Sequence, residues 1–137
     1  MMRIEVRSAI AARMGAALVA HVAEVQDGRR REALLTYGEL RRRLVADGGS
    51  DVIERGMGRY LTWLLDGLAA AGAPAALPSL VVTQKGGLNL EAYVPYRITE
   101  ETLEAERLRA LRHDWRGTEL VVARRDKSAK RTEGTVG

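Results

Sequence analysis

Arginines are the residues of this 137-residue chain whose type and spacing could do chemistry. Three of them, Arg41, Arg42 and Arg43, are consecutive. Arg55 and Arg59 are four residues apart, which places two side chains on the same face of a helix. Because a guanidinium group can bind a phosphate or a guanine edge through paired hydrogen bonds, this pattern predicts a DNA-binding surface. The consecutive arginines would hold phosphates and orient the protein on the duplex.

Groups suited to catalysis or metal binding are few. The chain has no cysteine, which excludes disulfides, thiol chemistry and thiolate zinc sites. Of its two histidines, His21 falls on an apolar helical stripe, and the side chain of Asp114 would point away from its neighbour His113 on a helix. We therefore expect no enzymatic activity, no metal and no cofactor.

Positive charge is concentrated in two segments of the chain. The formal net charge is +4; residues 29–59 and 124–137 each carry +3, whereas residues 60–123 carry −2. We expect one domain over residues 1–123, followed by a basic, disordered tail. No apolar run reaches the ~18 residues that a membrane span needs, so the sequence predicts a cytoplasmic protein without membrane contact.

The arginines fall on a predicted helix-turn-helix. Thr36 and Glu39 form a capping box that starts the first helix, and Leu40 and Leu44 would point inward from it. A glycine turn at residues 47–50 ends this helix, because glycine takes the left-handed backbone conformation without steric cost. A second, longer helix follows and carries the arginine pair.

Two further helices are expected to flank this centre. Residues 6–26 show apolar residues at helical spacing. A C-terminal helix would begin at Thr99 and bury Leu108 and Trp115. A last short strand is expected at residues 119–123.

Between the second helix and the C-terminal helix, the pattern predicts a β-hairpin. Residues 80–82 are an apolar run, a Lys-Gly-Gly turn begins at Lys85, and residues 88–94 alternate as a returning strand. The fold class is therefore α/β but mainly helical. Its order of elements is that of a winged helix, with Lys85 at the tip of the wing as a further phosphate contact.

Four short segments between residues 34 and 90 form a recognisable series: Thr36-Tyr37-Gly38-Glu39-Leu40, Arg55-Gly56-Met57-Gly58-Arg59-Tyr60-Leu61, Pro78-Ser79-Leu80-Val81-Val82 and Gly86-Gly87-Leu88. They resemble the DNA-binding domain of O6-alkylguanine-DNA alkyltransferases and alkyltransferase-like proteins. The resemblance implies that Tyr37 helps to rotate a nucleotide out of the stack and that Arg55 fills the vacated space. Ser79 and Leu80 replace the acceptor cysteine and its activating histidine, which excludes alkyl transfer to a thiolate.

Two functions are open from the sequence. The first is a non-enzymatic DNA-binding protein, either a regulator or an alkyltransferase-like binder of damaged or unusual DNA, which holds duplex DNA with the helix at residues 51–70. The alternative is a protein-interaction module, such as an immunity protein, an adaptor or a phage- or plasmid-borne regulator. Asp51, Glu54 and Asp66 on the same helix would repel phosphates and favour a protein partner. The acidic residues 100–119 also allow a homodimer through charge complementarity.

Overall fold

The computed structural model describes residues 2–46 and 57–123, and within them the protein is mainly helical with four short strands. The helices are α1 (Ala9–Gln26), α2 (Tyr37–Ala46), α3 (Met57–Ala71) and α4 (Leu103–Arg112). The strands are β1 (Arg3–Val6), β2 (Leu35–Thr36), β3 (Val81–Val82) and β4 (Glu119–Val122). Two 3-10 segments lie between α3 and α4, at Leu77–Leu80 and Leu90–Tyr96.

The strands form two separate parallel pairs. β1 pairs with β4, with Ile4 opposite Leu120, and β2 pairs with β3, with Leu35 opposite Val81. Parallel neighbours need long crossover connections, so each pair joins distant parts of the chain. The second pair brings the start of α2 beside the end of the Leu77–Leu80 segment.

The centre of the core lies where α1 and α3 pack against each other and against the β1–β4 pair. Leu18 on α1 and Leu64 on α3 are fully buried there. Gly67 lets β1 approach α3 closely, because a Cβ atom at this position would lie 2.6 Å from the carbonyl oxygen of Glu5. The approach fixes the orientation of α3, the helix that carries Arg59.

The predicted capping box at the start of α2 is confirmed. The Glu39 backbone N–H donates to Thr36 Oγ1 at 3.2 Å, and the Thr36 N–H donates to Glu39 Oε1 at 2.9 Å. Leu40 and Leu44 are buried, as predicted. Because the capping box fixes the first turn of α2, it also fixes the position of Tyr37, the first residue of that helix.

The predicted first helix and last strand are confirmed with shifted bounds. α1 begins at Ala9, because the Ser8 side chain caps it by accepting a hydrogen bond from the Ile10 N–H at 3.0 Å. β4 ends at Val122, one residue earlier than expected. β1 was not predicted, because an alternating pattern of four residues is too short to distinguish from the start of a helix.

The predicted β-hairpin is wrong. β3 pairs with β2 and not with a returning strand, and the expected strand at residues 88–94 is largely the 3-10 segment Leu90–Tyr96. The physical reason is a second, smaller core, in which Tyr93 from this segment is buried with Leu65 and Ile98. Burial of a large aromatic side chain outweighs the weak strand preference of the alternating residues.

The predicted C-terminal helix is confirmed but starts later. α4 begins at Leu103, and the residues from Thr99 form a preceding turn in which the Leu103 N–H donates to the Thr99 carbonyl at 2.8 Å. Trp115 is buried as predicted, and its Nε1 donates to the carbonyl of Ala110 at 2.8 Å. The prediction for Leu108 is wrong, since it is 42% exposed and Ala110 occupies the buried position of the helix.

Some predictions concern residues outside the described ranges. They are the glycine turn at residues 47–50, the start of the second helix with Arg55, and the tail at residues 124–137. The described part of the second helix is α3, which confirms helix from Met57 onward.

Candidate nucleic-acid interface

A cleft between α2, α3 and the second 3-10 segment brings together two of the predicted site residues, Tyr37 and Arg59. Its volume is about 180 Å³. It is lined by Tyr37, Gly58, Arg59, Leu61, Thr62, Leu65, Pro78, Val81, Leu88, Asn89, Ala92 and Tyr93. None of these described lining residues is acidic, so Arg59 gives the cleft a positive charge.

Two tyrosines form the aromatic part of the cleft. Tyr37 is half-buried, whereas Tyr93 is only 5% exposed. Burial raises the pKa of both phenols, so both keep their protons at neutral pH and can donate a hydrogen bond. Tyr93 was not predicted as a site residue, because its place in the cleft depends on the unexpected 3-10 segment.

The mouth of the cleft is open where α3 carries Gly58. A Cβ atom at Gly58 would have no atom of the described residues within 4 Å. This leaves out the two neighbouring residues and the backbone of the same helix within four residues. Gly58 is in the first turn of α3, where glycine costs up to about 1 kcal/mol relative to alanine, and no close packing in the described structure requires it. The open space would let a ligand approach the backbone of α3 next to Arg59.

Ser79 stands where the alkyltransferase pattern would have its acceptor cysteine. It lies next to the cleft, directly after the lining residue Pro78. It is fully buried, and its hydroxyl donates to the carbonyl of Ala76 at 2.5 Å. Arg107 on α4 donates to the Ser79 carbonyl from Nη2 at 2.7 Å and from Nε at 3.2 Å. The neighbouring Pro78 and Val81 line the cleft. Ser79 and Arg107 therefore hold the wall that these two apolar residues form.

The other basic residues predicted to bind DNA have different surroundings. Arg43 reaches α1, where its Nη2 lies 2.6 Å from Glu24 Oε1, and this hydrogen bond lowers the pKa of the Glu24 carboxyl. Arg41 is half-buried, and Arg42 is exposed on α2. Lys85 is exposed in the turn that precedes the cleft-lining residues of the second 3-10 segment.

The cluster of Trp63, Arg7 and Tyr60 beside Arg59 was not predicted from the sequence, and Trp63 is the residue that the others contact. The Cζ atom of Arg59 lies 6.0 Å from the ring centroid of Trp63, and the Cζ atom of Arg7 lies 4.8 Å from it. Tyr60 meets Trp63 edge-on, with ring centroids 5.5 Å apart. The four-residue spacing of Arg59 and Trp63 was a usable signal. Arg7 gave no such signal, because it comes from the junction of β1 and α1.

The two histidines make contacts within the fold. His21 is fully buried, and its Nε2 lies 2.8 Å from the carbonyl oxygen of Ala33. Burial lowers the pKa of His21, so its ring is neutral at pH 7. His113 packs edge-on against Trp115, with centroids 4.4 Å apart. Within residues 2–46 and 57–123, no group of three or more histidines and carboxylates is arranged to hold a metal ion.

Comparisons of the chain with protein-family models, with curated proteins and with solved structures give no match. None of the helices in the described part of the chain is both long and apolar enough to cross a membrane. The cleft and the arginines beside Trp63 are therefore the features of the protein that point to a function.

Proposed function

We propose that this protein is a non-enzymatic DNA-binding protein that uses the cleft between α2 and α3 as its recognition site. The observation that carries the proposal is the composition of this cleft. Tyr37 and Arg59 both line it, and none of the lining residues within the described ranges is acidic. A cationic side chain and a half-buried tyrosine in one cleft are a combination suited to a nucleotide, which has a phosphate and a planar base.

The size of the cleft favours a single ring system. At about 180 Å³ it is smaller than the ~300 Å³ at which pockets for drug-sized ligands begin. A base rotated out of a duplex is planar, and it stacks on aromatic side chains in a closely fitting pocket. The resemblance of the Tyr37 segment to the alkyltransferase domain supports the same interpretation. The proposed ligand is therefore duplex DNA with a damaged, unpaired or otherwise displaced base.

The surrounding elements suit a variant of the winged helix. α2 and α3 would be the two helices of the helix-turn-helix, and the exposed turn at Lys85 would occupy the place of the wing without a β-hairpin. Arg42, exposed on α2, and Lys85 would contact phosphates and position the duplex. Arg43, which is paired with Glu24, is assigned to the fold instead.

Binding of labelled duplexes tests the proposal. Wild type is compared with Arg59→Ala and Tyr37→Ala on a perfectly paired duplex and on one with a single unpaired base, at about 50 and about 200 mM salt. We expect salt-sensitive binding, about tenfold weaker binding of both duplexes by Arg59→Ala, and a loss by Tyr37→Ala that is larger on the duplex with the unpaired base.

Arg112→Ala is the matched control, because Arg112 is an exposed arginine on α4 that lines a different surface. Its affinity should equal that of wild type. Absence of salt-sensitive binding by wild type, or equal affinities of Arg59→Ala and Arg112→Ala, would contradict the proposal.

A protein-interaction module is the second candidate, and one observation favours it. Leu108 is 42% exposed on α4 and lines a groove of about 320 Å³ with Pro74 and Ala105. An exposed leucine in a groove is a feature of protein-binding surfaces. This alternative predicts a stable complex with a protein partner that is lost in Leu108→Asp, together with no binding of either duplex.

A further inference from the structure

Two arginines from separate elements of the fold lie beside the ring of Trp63. Arg59 comes from the preceding turn of α3, and Arg7 comes from the β1–α1 junction, yet each guanidinium carbon lies within 6.0 Å of the Trp63 ring centroid. A guanidinium group at this distance from an indole ring is attracted by the ring quadrupole. The Trp63 ring therefore attracts both guanidinium groups.

Neither arginine is neutralised by a carboxylate in the described structure. Six ion pairs there have nitrogen–oxygen distances of 4.0 Å or less, and they involve Arg29, Arg30, Arg43, Arg107, Arg109 and Arg116. Arg7 and Arg59 take part in none of these ion pairs. Two arginines that share an aromatic partner but no acidic one retain their capacity to bind an anion.

The start of α1 adds to the positive potential beside Arg7. Arg7 directly precedes Ser8, the N-cap of this 18-residue helix. The N-terminal end of a helix dipole is positive, and the first turn of α1 contains no acidic residue to compensate it. The start of α1 thus adds a positive partial charge next to Arg7.

We propose that Arg7, Arg59 and Trp63 form a second DNA contact that binds the phosphodiester backbone next to the cleft. This inference rests on the proposed function, and it extends the DNA footprint from α3 to the N-terminal end of α1. Arg59 belongs to both parts, since it lines the cleft and contacts Trp63. Trp63 acts as a positioning residue that keeps the two guanidinium groups on one surface.

Acidic residues mark the limit of this contact. Glu5 and Asp66 line a groove that Arg7 and Trp63 also line. The Asp66 carboxylate accepts a hydrogen bond from the Tyr96 hydroxyl, and this bond raises the pKa of Tyr96 to about 12. These two carboxylates would repel phosphates, so the proposed contact does not extend into the groove.

The test compares wild type, Arg7→Ala, Trp63→Leu and the control Arg112→Ala for the affinity of a labelled, perfectly paired duplex across a salt series. Arg7→Ala should weaken binding about tenfold and reduce the slope of log K against log salt by about one. Trp63→Leu should weaken binding although it removes no charge. Circular dichroism and thermal melting establish that each variant is folded, and Arg7, which is exposed, provides the test if Trp63→Leu fails to fold.

The outcomes separate this inference from the proposed function. If wild type binds DNA and Arg7→Ala keeps the affinity and salt slope of Arg112→Ala, the second contact is overturned and the cleft proposal stands. If wild type shows no salt-sensitive binding, the proposed function itself is overturned. A reduced slope for Arg7→Ala with unchanged thermal stability supports the inference.

Discussion

Arg43 on α2 and Arg59 on α3 are the same residue type on successive helices, but they face different surroundings. Arg43 is bound by Glu24 at 2.6 Å and so ties α2 to α1. Arg59 lines an open cleft and lies beside the ring of Trp63, with no carboxylate of the described residues within 4.0 Å. The difference shows that the side chain opposite an arginine, and not the spacing of arginines in the sequence, decides whether the arginine is held within the fold or stays available to a ligand such as the proposed DNA.

The largest change in stability is expected at Arg107, which is the most deeply buried of the arginines that form ion pairs within the described residues. Its side chain is 11% exposed and donates to the carbonyl of fully buried Ser79. Arg107→Met keeps the apolar stem but removes the donor, so we expect a loss of about 2 kcal/mol in the free energy of unfolding, measured by urea denaturation. The control is Arg109→Ala at an exposed pair with Glu106, which should cost well under about 1 kcal/mol. Equal losses in the two variants would contradict this ranking.

A second prediction concerns the pH dependence of the free energy of unfolding, which depends on His21 and the nearby Arg30 and Arg43. Burial lowers the pKa of His21 below its ordinary value of 6.5, and the nearby charges of Arg30 and Arg43 lower it further. The unfolded state therefore binds a proton more readily, and stability is lost as pH falls below 6.5. Because one proton is involved, this loss cannot exceed about 1.4 kcal/mol per pH unit.

Urea denaturation at pH 7.5 and pH 5.5, values that bracket the ordinary pKa of about 6.5, checks this prediction. His21→Gln should remove most of the difference between the two pH values, whereas His113→Gln should leave it in place. A wild-type stability that does not change between these pH values would contradict the buried, neutral state of His21.

A smaller change, a gain in stability, is expected for a substitution at the cleft. Gly58→Ala adds a methyl group where the described structure has open space, so the variant should be more stable by up to about 1 kcal/mol. The same methyl group narrows the mouth of the cleft and should weaken DNA binding. Gly38→Ala on α2 is the matched control, since its nearest contact is an ordinary 3.7 Å to Arg42 and it does not line the cleft. Unchanged binding by Gly58→Ala would show that DNA does not approach α3 there.

Features with a local cause could be predicted from the sequence, whereas features that depend on distant pairing could not. Thr36 and Glu39 are three residues apart, and their capping box follows from side-chain reach alone. β3 pairs with β2, which lies before two intervening helices, and no local pattern marks that partner. The prediction joined Tyr37 and Arg59 in one DNA-binding surface, but Tyr93 entered the cleft through a 3-10 segment that had been expected to be a strand. Arg7 was missed for the same reason, since only tertiary packing brings it to Trp63.

The most direct test of the account measures unfolding free energy and DNA affinity in parallel for Arg43→Ala and Arg59→Ala. We expect Arg43→Ala to lose about 1 kcal/mol of stability and to keep wild-type affinity, because it breaks a half-buried ion pair away from the cleft. We expect Arg59→Ala to keep its stability within about 0.5 kcal/mol and to lose affinity about tenfold. An Arg59→Ala variant that binds DNA as wild type does, or an Arg43→Ala variant that is fully stable but no longer binds, would contradict the account.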